Sequence, residues 1–263
     1  MPPPDQPVLS LLTDFGYTDA YVGVMKGVIA SRCDATLIDM THGIQPGDIR
    51  AAAYLLGTSW SYFPRGTVHL AVVDPGVGTD RAILAASVRD HLFVAPDNGL
   101  LTDVLAAADP APVVVKVTRS EHFLPRVSQT FHGRDIFAPV AAALANGLPL
   151  EQLGDVTDAW VTLNRREPRV TPRRVAGEVV HVDQFGNLIT NIQTHHLPAN
   201  DRVTVHLRNQ QIQGIASSYV DAGQGTLMAI IGSTDRLEIS IALGSAADEL
   251  GVSVGETVWL ETA

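Results

Sequence analysis

Apolar runs of strand length alternate with helix-like periodicity through the first half of the chain. The predicted strands are residues 8–13, 35–40, 67–74, 82–88, 91–96 and 112–118. The predicted helices are residues 19–32, 48–60, 100–108 and 135–147. Continuous apolar strands that alternate with helices are typical of a mostly parallel sheet covered by helices on both faces. Thr18 and Asp48 are the predicted N-caps of the first two helices.

The pattern changes to short strands separated by turns in the last third of the chain. These predicted strands are residues 177–183, 187–192, 202–207, 211–216, 226–231, 236–242 and 257–262. Because no long helical period interrupts them, they predict a smaller antiparallel β-barrel. Residues 164–174, rich in Pro and Arg, are interpreted as a linker. We place the boundary inside this linker, with an α/β domain at 1–166 and a β-barrel domain at 167–263.

Composition and charge narrow the class of protein. The chain has 263 residues, of which 46% are hydrophobic and 17% charged, and this composition is typical of a globular protein with a large core. The net charge of −10 argues against a nucleic-acid partner, because proteins that bind nucleic acids usually carry a basic stripe. Cys33 is the only cysteine, so an intrachain disulfide and a thiolate metal cluster are excluded. With neither a signal-peptide pattern nor an apolar run long enough to span a bilayer, we expect a cytoplasmic protein without a membrane partner.

Four polar clusters fall where the carboxyl ends of the predicted strands should meet. They are residues 13–19, 39–48, 74–81 and 130–135. Asp, Gly, Pro and Thr are also ordinary turn residues, so turn chemistry explains any one cluster alone. Ligands of open parallel sheets bind at this edge, and four clusters converging there favour a binding or catalytic site. His132 is a candidate because the adjacent Gly133 allows close approach to the backbone.

Five stretches in register carry a resemblance to a known family. They are LLTDFGYTDAYVGVMKGVI (11–29), GTVHLAVVDPGVGT (66–79), APDNGLLT (95–102), TFHGRDIFAP (130–139) and VDQFGNLITNI (182–192). Together they resemble the S-adenosyl-L-methionine (SAM) hydroxide adenosyltransferases, the SAM hydrolases related to the fluorinase and chlorinase. The resemblance implies hydrolysis of SAM to adenosine and L-methionine without a cofactor or metal. It also implies a homotrimer whose active sites are shared between neighbouring subunits.

The resemblance implies roles for individual residues. Asp74, Arg81 and His132 match the family's catalytic, water-positioning triad. The implied substrate-binding residues are Asp14 for the ribose hydroxyls, Asp19 and Asp183 for the methionine group, Phe185 and Asn187 for adenine, and Ser233, Glu238 and Ala246. The last three belong to the segment 232–247, which is similar to one that closes over the substrate from the adjacent subunit.

Alternative functions remain open at this point. A SAM-dependent halogenase of the chlorinase type is disfavoured because the halogenating relatives have a tyrosine at the position of Asp74. Gly133 occupies the position of a fluoride-contacting serine in the fluorinase, and Thr234 that of an arginine in some halogenating relatives. A metal-dependent phosphatase or nuclease could use Asp14, Asp74, His132 and Asp135 as ligands. The remaining alternative is a non-catalytic protein that binds SAM or adenosine.

Overall fold

The computed structural model of this chain describes residues 6–198, 203–221 and 223–262. The chain forms two compact units, Met1–Leu163 and Asn164–Ala263. The first contains a helix-flanked, mostly parallel sheet and the second a nearly closed antiparallel sheet, so the predicted fold class is confirmed. The boundary between residues 166 and 167 stays a prediction, because compactness alone does not show where an independently folding unit begins. Among the described residues, no helix is both long and apolar enough to cross a membrane.

Seven strands form the sheet of the first unit. They are β1 (Val8–Thr13), β2 (Thr36–Thr41), β3 (Val68–Val72), β4 (Ile83–Val88), β5 (His91–Pro96), β6 (Val113–Val117) and β7 (Gly154–Val156). Their order in the sheet is β2-β1-β3-β5-β4-β6-β7. The first four strands in this order are mutually parallel, whereas β4 pairs antiparallel with both of its neighbours. The carboxyl ends of β1, β2 and β3 therefore lie side by side.

Helices cover both faces of this sheet. They are α1 (Tyr21–Ala30), α2 (Ile49–Ser59), α3 (Thr102–Ala106) and α4 (Ala138–Ala145). Side chains alternate along β3, so Leu70 and Val72 pack with α1 and α4, whereas Ala71 packs with α2 and α3. Apolar cores on both faces explain why the central strands β1 and β3 are mostly apolar in the sequence.

The second unit is a sheet that nearly closes on itself. Its strands are β8 (Arg169–Val170), β9 (Arg174–Val182), β10 (Leu188–Gln193), β11 (Val203–Leu207), β12 (Gln210–Gln213), β13 (Leu227–Ile231), β14 (Arg236–Ile241) and β15 (Thr257–Thr262). The main path is β12-β11-β15-β9-β10-β14-β13, and all its pairs are antiparallel. Ala216, just beyond β12, bridges to Ile230 in β13 and so brings the two sheet edges together.

One of the two predicted helix N-caps is wrong. Ala20, and not Thr18, is the N-cap of α1, and it makes no side-chain cap hydrogen bond. The chain before α1 is instead held by a backbone hydrogen bond from Gly16 N to His42 O. Asp48, by contrast, caps α2 as predicted by accepting a hydrogen bond from Ala51 N.

The fourth predicted helix begins as a π-helical turn, Gly133–Phe137, which runs into α4. The sequence pattern does not predict β7, β8 within the predicted linker, or a helix α5 (Ala246–Leu250). Arg202, the first residue of one predicted strand, lies outside the described residues.

Candidate active site

Two predicted acidic residues lie at one edge of the first unit's sheet. Asp14 directly follows the last residue of β1, and Asp74 lies two residues beyond the end of β3. Since β1 and β3 are adjacent and parallel, both carboxylates belong to the edge where open α/β sheets bind ligands.

Asp74, Arg81 and His132 form one connected polar group. Arg81 Nε donates to Asp74 Oδ1 at 2.8 Å and to Oδ2 at 2.9 Å, and Arg81 Nη2 also donates to Oδ2. The same Nη2 lies 3.0 Å from His132 Nδ1. The Asp74 and Arg81 side chains are only 4% and 10% exposed, so this ion pair is shielded from solvent. A charge-assisted, bidentate pair of this kind holds its members in a fixed geometry.

Arg81 also fixes the proton on the His132 ring. A guanidinium group only donates hydrogen bonds, so Nδ1 of His132 accepts one and the proton of the neutral ring lies on Nε2. Burial, followed by the charge of Arg81, lowers the pKa of His132 below its ordinary value of 6.5, against smaller opposing effects of Asp74, Asp135 and the Ser128 backbone. The ring is therefore neutral at pH 7.

Gly78 explains how two distant segments meet. Its φ of +78° is a conformation that favours glycine, and a Cβ at this position would lie 2.4 Å from Gln129 O. Only glycine therefore allows the turn that carries Arg81 to contact the loop that precedes His132. Thr79 closes the turn by donating from Oγ1 to Gly76 O at 2.6 Å.

Asp135 supports the loop that carries His132. It is fully buried, and its Oδ2 accepts hydrogen bonds from Ser128 N and Oγ at 2.8 and 2.7 Å. Arg134 Nε donates to Oδ1 at 2.6 Å. Burial raises the pKa of Asp135, but the hydrogen bonds from Arg134 and Ser128 outweigh it and leave the pKa below its ordinary value. This ionised carboxylate therefore anchors the π-helical turn that follows His132, and π-turns are frequent at functional sites.

Asp14 and Asp19 differ in how firmly they are held. Gly47 N donates to Asp14 Oδ2 at 2.8 Å, which orients the Asp14 carboxylate. Asp19 is exposed and lies two residues before α1.

In the second unit, Asp183 organises the hairpin between β9 and β10. Its Oδ1 accepts hydrogen bonds from Phe185 N and Asn187 N, each at 2.9 Å. Its Oδ2 accepts from Asn187 Nδ2 at 2.8 Å. Phe185 is 68% exposed although it is aromatic. Asp183 thus holds the turn that presents the Phe185 ring outwards, and much of its hydrogen-bonding capacity is used within the hairpin.

The same hairpin packs against the beginning of α5. A Cβ at Gly186 would lie 2.0 Å from Ser245 Oγ, and Ala247 N donates to Gly186 O at 3.0 Å. Ala246, the first residue of α5, is fully buried beside this contact. The structure therefore brings the predicted Phe185–Asn187 pair close to part of the predicted 232–247 segment.

Glu238 is a buried carboxylate on β14, only 5% exposed. Tyr219 Oη lies 3.5 Å from Glu238 Oε2, and a Cβ at Gly232 would lie 1.8 Å from Oε1, so the space that the carboxylate occupies depends on that glycine. Burial, followed by the charge of Asp183, raises the pKa of Glu238 above its ordinary value of 4.5. Ser233 is exposed in the turn between β13 and β14. This corner of the second unit is therefore acidic.

The metal-ligand interpretation gains no support from this geometry. In the described part of the chain, no group of three or more His, Cys, Asp or Glu residues could hold a metal ion. Asp135, one of the four candidate ligands, is instead taken up by Ser128 and Arg134.

Sequence analysis missed Ser128 and Tyr219. Ser128 lies in an irregular loop, and only its contact with Asp135 reveals its part in holding His132. Tyr219 lies 19 residues before Glu238, outside any periodic segment, so no local pattern could have paired them.

Family comparisons agree with this two-part organisation. Residues 9–154 match the model of the SAM hydroxide adenosyltransferase N-terminal domain, and residues 177–259 match that of the C-terminal domain. The (R)-S-adenosyl-L-methionine hydrolase of Salinispora tropica is 39% identical over 95% of this chain and 96% of its own length. The fluorinase of Nocardia brasiliensis is 27% identical and covers 96% of each chain. The crystal structure of an uncharacterized conserved protein from Thermotoga maritima superposes with a TM-score of 0.90 at 38% identity, covering 96% of this chain and 99% of its own.

Proposed function

This chain belongs to the SAM hydroxide adenosyltransferase family, and from this premise we propose that it hydrolyses SAM to adenosine and L-methionine. The observation that carries the proposal is the shielded Asp74–Arg81–His132 group at the carboxyl edge of the sheet. The names of the curated relatives supply the substrate.

The proposed reaction is a substitution at C5′ of SAM. The oxygen of water forms a bond to C5′ while the C5′–S bond breaks. The electron pair of the C5′–S bond stays on the sulfur, which leaves as the neutral thioether of methionine. Asp74 accepts a hydrogen bond from the water, His132 helps to orient it, and Arg81 holds both side chains in place. The proton released from the water passes to the coupled Asp74–His132 pair. Holding the water in line behind the sulfur supplies the proximity that the reaction needs.

Two features favour water over a halide as the nucleophile. The Asp74 carboxylate only accepts hydrogen bonds, so it can hold a water molecule, which donates one, but not a halide ion, which has no proton to donate. Gly133 is tightly enclosed, since a Cβ there would lie 3.2 Å from Met25 Sδ and 3.3 Å from the rings of Phe131 and Phe15. The fluoride-contacting serine of the fluorinase would therefore fit at this position only if the neighbouring side chains moved.

The substrate-binding roles follow the residues' environments. We assign Asp14 to the ribose hydroxyls, because a carboxylate oriented by Gly47 N can accept hydrogen bonds from a vicinal diol. The exposed Phe185 ring offers adenine a stacking surface. The acidic corner around Glu238 suits the ammonium group of methionine. The other proposed contacts are Asn187 and Ala246 for adenine, and Asp19, Asp183 and Ser233 for the methionine group.

Assembly and location complete the proposal. We propose a homotrimer in which one subunit's first unit and its neighbour's second unit contribute to each active site; the family resemblance of the segment 232–247 supports this. The proposal also places the enzyme in the cytoplasm.

A direct assay tests the proposed function. Purified protein is incubated with each separated sulfonium epimer of SAM in ¹⁸O-labelled water and saturating chloride, and products are identified by mass spectrometry. The proposal expects adenosine labelled at its 5′-hydroxyl, together with L-methionine, and undiminished activity after treatment with a chelator. 5′-Chloro-5′-deoxyadenosine as the main product would support the halogenase, and tight binding of SAM without turnover would support the non-catalytic alternative.

A further inference from the structure

A connected group of polar side chains at the ends of β1 and β2 lies outside all the roles assigned so far. It consists of Thr13, His42 and Asp39, with Lys26 from α1 at its outer end. The Thr13 residue and the His42 side chain are fully buried, whereas Asp39 lies at the exposed end of the group. We call Thr13, His42 and Asp39 the Thr13 relay.

The contacts favour one direction for the hydrogen bonds. Lys26 Nζ donates to Asp39 Oδ2 at 2.6 Å. His42 Nε2 lies 3.1 Å from Asp39 Oδ1, close enough for an electrostatic contact although not aligned as a linear hydrogen bond. Because Nε2 faces the Asp39 carboxylate, we place the ring proton on Nε2, and His42 Nδ1 then accepts a hydrogen bond from the Thr13 hydroxyl, 2.8 Å away. Thr13 Oγ1 in turn accepts a hydrogen bond from Phe15 N at 3.2 Å.

The relay ends on the turn that carries Asp14. Thr13 and Phe15 flank Asp14 in sequence, so the Phe15 N to Thr13 Oγ1 bond folds the backbone around that carboxylate. His42 holds the same turn a second time, because its carbonyl oxygen accepts from Gly16 N at 2.8 Å.

An irregularity in the sheet lets β2 supply these contacts. The pairing with β1 shifts so that Leu11 lies opposite Asp39 and Leu12 lies opposite Thr41. The extra residue on β2 is a bulge, and bulges redirect side chains next to functional sites. The bulge thus lies between Asp39 and His42, the two relay residues that β2 and the residue after it contribute.

From this geometry we propose that the Thr13 relay positions the Asp14 carboxylate for the ribose hydroxyls of the substrate. His42 and Thr13 are positioning residues: they act through the backbone of the Asp14 turn. Nucleophilic chemistry by Thr13 does not fit, because the residue is fully buried and its hydroxyl is bonded on both sides. The inference rests on the proposed function, since it deepens the role given there to Asp14.

Paired substitutions separate positioning from simple stability. Thr13→Val keeps the shape of the side chain and removes the hydroxyl, whereas Thr13→Ser keeps the hydroxyl. We expect Thr13→Val to raise the KM for SAM and the Kd for adenosine about tenfold, the size of one net hydrogen bond, while kcat changes less than about twofold. Thr13→Ser should restore the affinity. His42→Asn, whose Oδ1 can take the place of Nδ1, should retain more affinity than His42→Gln.

A matched control lies in the same strand. Ser10 Oγ lies 2.7 Å from His69 Nδ1, a buried hydroxyl–histidine bond like that of Thr13 but three residues from it. Ser10→Ala should lower Tm and leave both KM and kcat near those of the wild type.

Binding of nucleosides without turnover completes the test. Thr13→Val should raise the Kd for adenosine but should change the Kd for 2′,3′-dideoxyadenosine little, because that nucleoside lacks the hydroxyls that Asp14 would hold. An unchanged adenosine Kd in a folded Thr13→Val protein overturns the relay while leaving the hydrolase intact, and so does an equal loss with both nucleosides. If the wild-type protein neither binds adenosine nor consumes SAM, the proposed function fails, and the relay fails with it.

Discussion

The Asp74 carboxylate is held at both oxygens by Arg81, so a substitution that removes its charge also removes one of the two acceptors that Arg81 uses. Asp74→Asn keeps the size of the side chain but removes the negative charge and turns an amide group towards a cationic donor. We expect kcat to fall about 10²-fold or more through the loss of general-base assistance, while KM changes much less. Steady-state kinetics measure both values. Asp80→Asn, an exposed change in the same turn, is the control and should leave kcat unaffected; undiminished turnover in Asp74→Asn would contradict the water-holding role.

His132 predicts a pH dependence whose direction follows from its environment. Its pKa is depressed by burial and by Arg81, so the ring is neutral above the folded-state pKa and gains a proton only below pH 6.5. A protonated Nδ1 cannot accept the hydrogen bond from Arg81 Nη2, so the group of three is intact at neutral pH and is lost as the pH falls.

The acidic limb of kcat that belongs to His132 should therefore be centred below pH 6.5. His132→Asn offers an acceptor near the Nδ1 position that does not titrate, and it should remove this limb even though the remaining activity is lower. The measurement is a pH profile of kcat for both proteins. A limb centred above pH 6.5, or one that persists in His132→Asn, would assign the titration to another group.

At the scale of elements, the turn after β3 predicts a specific sensitivity at Gly78. An alanine there keeps a strained positive φ and places its Cβ against Gln129 O, so the loop before His132 has to move away from Arg81. We expect Gly78→Ala to lower Tm and to reduce kcat at least tenfold. Gly147→Ala is the matched control, because Gly147 has a similar φ of +87° and no atom within 4 Å of the added Cβ. It should lower Tm by a smaller amount and leave kcat unchanged; equal effects on kcat would show that strain alone is responsible.

The sequence predicts the strands of the first unit well because β1 and β3 are buried on both faces and therefore consist mostly of apolar residues. The start of α1 was predicted wrongly because the hydrogen bond from Gly16 N to His42 O holds the preceding turn, and no cap residue records that contact. The π-helical turn after His132 depends on Asp135 reaching Ser128, which helical periodicity cannot reveal.

The candidate site shows the same division between local and long-range information. The carboxyl-edge placement of Asp14 and Asp74 follows from strand order alone, because parallel neighbours end at the same edge. The contact of Arg81 with His132, 51 residues later, depends on the absence of a side chain at Gly78. The sequence contains that glycine, but only the fold shows which backbone oxygen it must accommodate.

At the scale of the whole molecule, the candidate residues fall into two sets that belong to different units. Asp74, Arg81 and His132 lie in Met1–Leu163, whereas Phe185 and Glu238 lie in Asn164–Ala263. The proposed trimer joins the first set of one subunit to the second set of its neighbour. A closed ring of three chains should have a mass of about 84 kDa, three times the 28.1 kDa of one chain, which light scattering can measure.

Complementation between two defective variants tests whether the sites are shared. Asp74→Asn damages only the catalytic set of the first unit, and Phe185→Ala removes only the proposed adenine platform of the second, so each variant alone should be poorly active. When the two variants assemble at random from equal amounts, about a quarter of all sites combine an intact first unit from one variant with an intact second unit from the other. Co-expressed and co-purified variants should therefore recover about a quarter of the wild-type kcat per site. Mixing the two proteins after purification, without exchange of subunits, is the control and should give only the average of the two low activities. If the co-expressed protein also gives only that average although mass spectrometry detects mixed trimers, each site is built within a single subunit and the shared-site proposal is wrong.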